Sequence, residues 1–168
     1  MEPHCPPPRG FKPARTITWA HLRPGPPSFI KRKRPRGRKA LGVRYERKVL
    51  DHLETSASLP LLRSPWIEFG ELEQGRPRWC QPDGLLLDPW EGRIVLLEVK
   101  YQHTADAWWQ LTQLYSPVLQ KLLPQWDICK VEVVKWFDPA TSFPEKPLLL
   151  PDPVDAGRDG IHVHILKP

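Results

Sequence analysis

The stretch "RIVLLEVKYQH", residues 93–103, decides the fold. Ile94, Val95, Leu96, Leu97 and Val99 form a nearly continuous apolar run, the pattern of a strand buried on both faces. Glu98 and Lys100 stand near its end, two residues apart and therefore on one face. A buried strand has no structural need for a carboxylate and an amine side by side. Their presence points to a site at the end of the strand.

Regular elements surround this strand. "KALGVRYERKVLDHLE", residues 39–54, reads as a helix. "PWIEFG" reads as a strand over residues 66–69, and "RWCQPDGLLL", residues 78–87, as a second. "DPWEG" supplies turn residues before the 93–100 strand. "TADAWWQLTQLYSPVLQKLL", residues 104–123, is helical, with Trp108, Leu111, Tyr115, Leu119 and Leu122 on one face. Pro117 lacks the amide that would bond back, so it kinks that helix or restarts it behind a Ser116 cap. "DICKVEVVKWF", residues 127–137, is a further strand. The order is αβββαβ: an α/β (α+β) core, a mixed central sheet flanked by helices.

Proline-rich segments lie on either side of this core. Residues 1–38 read as a basic, extended arm in which "ITWAHL" is a short ordered anchor. Residues 138–160 read as an irregular surface run, followed by "IHVHILK" as a final edge strand. The expected organisation is an arm (1–38), a core (39–137) and a C-terminal extension (138–168). The arms suit docking onto a larger protein assembly.

Net charge is +6, yet "KRKRPRGRK" alone holds Lys31, Arg32, Lys33, Arg34, Arg36, Arg38 and Lys39. Without it the chain has 18 basic against 19 acidic residues. The positive charge is one concentrated run, which suits a polyanion such as DNA; a solvated linker or a nuclear-localisation signal fits the composition too. No apolar run approaches the ~18 residues of a membrane span, and "MEPHCPPPRG" is no signal peptide. The expected compartment is the cytoplasm. Cys5, Cys80 and Cys129 form no CxxC pair, so neither a zinc site nor a disulfide framework is indicated.

A hairpin turn centred on Trp90-Glu91 sets Asp83 opposite Glu98, with Cβ atoms roughly 5 Å apart. Lys100 shares their face. Val43, Glu46, Leu50 and Leu53 share a stripe of the first helix, so Glu46 is a third acid on the core side. Three acids converging from separate elements can share a cation, and oxygen ligands suit Mg2+ or Mn2+. Separate ion pairs to lysine and arginine are the plainer account of each acid alone.

"Q-P-D-G", followed by "E-V-K" fifteen residues after its Asp, resembles the PD-(D/E)XK nuclease motif over roughly residues 40–137. The resemblance implies a restriction-endonuclease-like core and divalent-metal-dependent hydrolysis of DNA, in an endonuclease or related enzyme. By implication Asp83, Glu98 and the Val99 carbonyl hold the ion, Lys100 activates water or stabilises charge on the phosphate, and Glu46 is the helix acid. RecB-like members carry a glutamine and a tyrosine four residues apart on the next helix. Here Gln110, Gln113 and Tyr115 stand at other intervals, and the two glutamines are candidate nucleic-acid contacts. Compact single-domain members are common in phages, which would place this chain in a host cytoplasm. A rival reading is a catalytically silent nucleic-acid-binding or assembly protein with the same fold.

Three smaller features complete the candidates. His162 and His164 share a strand face as a metal pair or as plain surface strand. His103 is within reach of a phosphate or serves as a cap. Trp109 is a candidate for stacking on bases.

Overall fold

The computed structural model describes residues 6–31, 33–136 and 160–168. The elements are β1 (Ile17–Arg23), α1 (Arg38–Ser56), β2 (Leu61–Arg63), β3 (Trp66–Glu71), β4 (Arg78–Cys80), β5 (Gly84–Asp88), β6 (Arg93–Gln102), α2 (Ala105–Gln110), a π-helical turn (Leu111–Tyr115), α3 (Ser116–Leu122), β7 (Asp127–Trp136) and β8 (Ile161–Ile165). Among the described residues no helix is long and apolar enough to cross a membrane.

Two sheets share the core. The larger runs β2-β5-β6-β7-β8, antiparallel as far as β6 and parallel from β6 to β8. The smaller is the antiparallel set β1-β3-β4. α/β architecture is therefore observed, as a mixed five-stranded sheet plus a second sheet that the sequence did not announce.

The 93–103 stretch sits at the centre of the large sheet. Its two faces bury different partners. Val95, Leu97 and Val99 pack with Val131, Val133 and with Tyr45, Val49 and Leu53 of α1. Ile94 and Leu96 pack with Phe69 of the small sheet and with Leu111, Tyr115, Val118 and Leu119 of the second helical segment. Burying each of these side chains contributes about 1.5–3 kcal/mol.

Pro82 explains why "RWCQPDGLLL" is two strands and not one. Proline cannot donate to a ladder, so the chain leaves the small sheet after Cys80 and enters the large one at Gly84. The corner is fastened by Gln81 Nε2 donating to the Ser64 carbonyl (2.8 Å) and by the Ser64 amide donating to the Asp83 carbonyl (2.8 Å).

Part of the 1–38 segment is built into the fold. "ITWAHLR" is β1, paired along β3, and Ala14, Ile17 and Ala20 pack against the core. Arg78 ties the segment down further, donating to the Lys12 and Pro13 carbonyls and to Glu71. The anchor expected at "ITWAHL" is a strand of the small sheet. At the other end β8 joins the large sheet as a parallel edge strand; the expected irregular run 138–160 lies outside the described residues except for Gly160.

Pro117 lies in the first turn of α3. Tyr115 and Ser116 both keep α-region backbone angles, so Ser116 is not an N-cap. A π turn precedes the proline, and the Gln113 carbonyl, which an amide at position 117 would have bonded, accepts the Ala14 amide at 2.7 Å.

Candidate metal and phosphate site

The β5–β6 hairpin has the register expected from its turn: Gly84 faces Leu97 and Leu85 faces Leu96. Asp83 is the next residue outward, beside Glu98. Its Oδ2 accepts the Val99 amide at 2.6 Å. The bond uses the amide of Val99, the residue whose carbonyl the resemblance names as a ligand. Asp83 is thereby locked against the edge of β6.

Lys100 crosses between elements. Its Nζ lies 2.6 Å from Glu98 Oε1 and donates to Gln110 Oε1 at 2.7 Å. Gln110 Nε2 in turn reaches the Tyr115 hydroxyl at 3.4 Å. Glutamine and tyrosine are five residues apart, which on an α-helix would turn them about 140° from each other. The intervening π turn takes up the extra residue, so both face Lys100's side of the sheet.

α1 approaches closely at Gly84. A Cβ there would lie 3.2 Å from Leu50 Cδ2 and 3.2 Å from Leu97 Cδ1. The buried stripe of α1 is Tyr45, Val49, Leu50 and Leu53. Val43, expected on it, is exposed at 37%. Glu46 still falls within the arc spanned by Tyr45 and Leu50 and is half-buried.

The electrostatics record this convergence. Burial raises the Glu98 carboxyl to about 8; Asp83 and Glu46 add to the rise and Lys100 opposes it. Glu46 is raised to about 7 by burial and by Asp83, against Lys100 and Arg63. Asp83 is raised by burial, opposed by the Val99 amide and Lys100. Burial works against the Lys100 charge, but Glu98, Asp83 and Asp106 outweigh it and hold the ammonium above the ordinary lysine range. Tyr115 is raised by burial and by Glu98 and Asp83. Three acids, one lysine and one tyrosine therefore feel one another from four separate segments.

Among the described residues no three His, Cys, Asp or Glu side chains are drawn together as a ready-made ligand set. The acids are instead held by Lys100 and the Val99 amide. One feature nonetheless fits a cation. Glu98 Oε2 is buried with no hydrogen-bond partner, on a residue that is 2% exposed. An unmet carboxylate oxygen beside a second buried acid is costly unless positive charge joins it.

The other candidates fall elsewhere. Gln113 is half-buried, and its bond to Ala14 is a backbone contact. Lys31, Lys33, Arg34, Arg36, Arg38 and Lys39 are all exposed, while Arg32 lies outside the described residues. Lys39 precedes Glu46 by two helical turns, about 10 Å along α1. Trp109 packs against Phe11 and Trp108, with ring centroids 5.9 and 5.0 Å away. His162 and His164 do share a face, but both are buried beside Val131 and Val133 rather than lying on a surface strand.

Two residues escaped their full weight in the sequence. Tyr115 falls on the apolar stripe of its helix, which masks its hydroxyl's role, and Glu132 carries no motif. Glu132 pairs with Glu98 across the parallel β6–β7 ladder and is as deeply buried. Its signal was available: "VEVV" sets one acid in an apolar strand, as "LEVK" does.

No protein family's sequence model matches this chain, and no curated protein or solved structure matches it.

Proposed function

We propose that the protein is a divalent-metal-dependent nuclease of the PD-(D/E)XK type that hydrolyses phosphodiester bonds in DNA. The observation that carries this reading is the gathering of Asp83, Glu98, Lys100 and Gln110 at one end of β6, with Glu98 Oε2 buried and unmet. Asp83, Glu98 and Glu46 would hold Mg2+ or Mn2+. When bound, such an ion supplies charge to offset the phosphate and acidifies water. Lys100 would offer its ammonium to the phosphate where negative charge grows in the transition state. Gln110 of α2 accepts a hydrogen bond from the ammonium and donates one to the buried Tyr115 hydroxyl. The exposed basic run leads directly into α1 and gives the DNA backbone a cationic approach to Glu46 and the site.

Purified protein incubated with supercoiled plasmid, linear duplex and single strands tests the reading. Cutting is expected with Mg2+ or Mn2+ and none in excess chelator. Cleavage that persists in chelator removes the metal role. No cleavage of any substrate, with DNA binding retained, favours the silent-scaffold alternative.

A further inference from the structure

We propose that His103, oriented by buried Glu132, is a second phosphate-binding group of this site, standing on the far side of the Glu98–Lys100 pair from Asp83. The inference rests on the nucleic-acid reading above and extends it.

Parallel register sets Glu132 directly beside Glu98. Neighbouring strands are about 4.8 Å apart, and residues paired in register share a face. The packing agrees: Val131 and Val133 face α1, while Glu98 and Glu132 lie on the opposite side, where α2 and α3 pack. His103 follows directly after β6, the strand that carries Lys100. Its amide donates to the Trp136 carbonyl at 3.2 Å, which carries the β6–β7 ladder one bond further. Its Nδ1 then meets Glu132 Oε2 at 2.8 Å. The imidazole is thus placed one strand over from Glu98, at the end of the sheet where Lys100 emerges.

A purely structural ion pair explains this poorly. Glu132 is 2% exposed among valines 131, 133 and 134, where another valine would pack without desolvating a charge. Its Oε1 is buried without a partner, so the pairing leaves half the carboxylate unmet. The His103 side chain, by contrast, is 44% exposed. A carboxylate behind an imidazole fixes the ring's orientation and favours its cationic form; the hydrogen bond to Glu132 raises His103 above the ordinary histidine range, against partial burial. The resulting group is an aimed, partly exposed imidazolium three residues past Lys100, a cation suited to a non-bridging oxygen of a phosphodiester.

Titration with thymidine 3′,5′-bisphosphate, followed by NMR of the histidine ring signals, reads this contact. It is paired with KM and kcat for duplex cleavage in Mg2+. In the wild-type protein the His103 ring signals shift on titration. His103→Ala weakens bisphosphate binding and raises KM about tenfold, as expected for one lost charge-assisted hydrogen bond, with kcat changed by less than about threefold. Glu132→Gln keeps an acceptor for the ring but not the charge, and gives a smaller shift in the same direction. His103 stands half-exposed after the last residue of β6, so its variant tests the idea even where a position-132 variant fails to fold. Unchanged binding and KM in His103→Ala, with the wild type binding, overturns the inference alone. A wild type that neither binds the bisphosphate nor cuts overturns the nucleic-acid reading and the inference with it.

Discussion

The two faces of the large sheet are built by the same strands and buried to the same degree, yet they differ in kind. On the α1 face β6 and β7 contribute Val95, Leu97, Val99, Val131 and Val133. On the opposite face they begin with Ile94, Leu96 and Ile128, then change to Glu98, Lys100 and Glu132. The apolar face holds the molecule together. The charged half of the other face subtracts from stability, since each buried carboxyl is raised by desolvation or left with an unmet oxygen. Charges placed side by side on adjacent parallel strands, against that cost, are what the proposed function rests on.

The largest expected effect comes from breaking the charged face. Asp83→Asn or Glu98→Gln should abolish cleavage, a loss beyond about 10³-fold, while the folded protein survives and the Glu98→Gln protein melts no lower without metal. Plasmid cleavage and thermal unfolding measured on the same samples check both halves. Next comes Lys100→Ala, expected to cut turnover by about 10²–10³, the range for losing one preorganised charge donor. DNA affinity should change by less than about tenfold, and wild-type turnover would make Lys100 a plain ion-pair partner of Glu98.

Leu97→Ala sharpens the comparison from the apolar side. It should cost about 2–5 kcal/mol of stability and leave the turnover of the folded fraction unchanged. Denaturant unfolding with activity measured below the transition separates the two.

A pH series tests the charged face without mutation. Glu46 and Glu98 have carboxyls raised from 4.5 to about 7 and about 8. The folded state therefore keeps protons that the unfolded chain releases first, and the stability of metal-free protein should fall as pH rises from about 4.5 to 8. Added Mg2+ or Mn2+ should recover stability increasingly over that same window, because it needs the ionised carboxylates. Melting temperatures that stay flat with pH, or that Glu98→Gln leaves just as steep, would count against the convergence. The smallest effect concerns the basic run. Replacing its seven cations by glutamine should lower the log–log salt slope of duplex binding by roughly 4, if about five of them contact phosphates. Substitution is the proper test, since deletion of residues 1–38 would also remove β1.

The hairpin was legible because its turn residues and its apolar alternation agree on one register, and Asp83 and Glu98 followed from that. α1 was legible as a helix but rotated slightly in the reading, since Val43 mimics a core residue that Tyr45 in fact supplies. "ITWAHL" was legible as an ordered anchor but not as a strand of a second sheet, because its partners, β3 and Arg78, are distant in sequence. Glu132 was visible as a lone acid in an apolar strand, but its neighbour across the ladder was not, since parallel pairing leaves no turn from which to count.

The π turn at Leu111–Tyr115 makes the second helical segment sensitive to length more than to composition. A residue inserted into a helix rotates everything after it by about 100°. Here one such residue is already absorbed, so Gln110 and Tyr115 keep a common heading. Removing one residue from 111–114 would let the segment run as plain α-helix with the two still aligned. Adding one would point them apart and strip Lys100 of its glutamine. Loss is tolerated and gain is not, an asymmetry that a set of single-residue deletions and insertions across the segment would display directly.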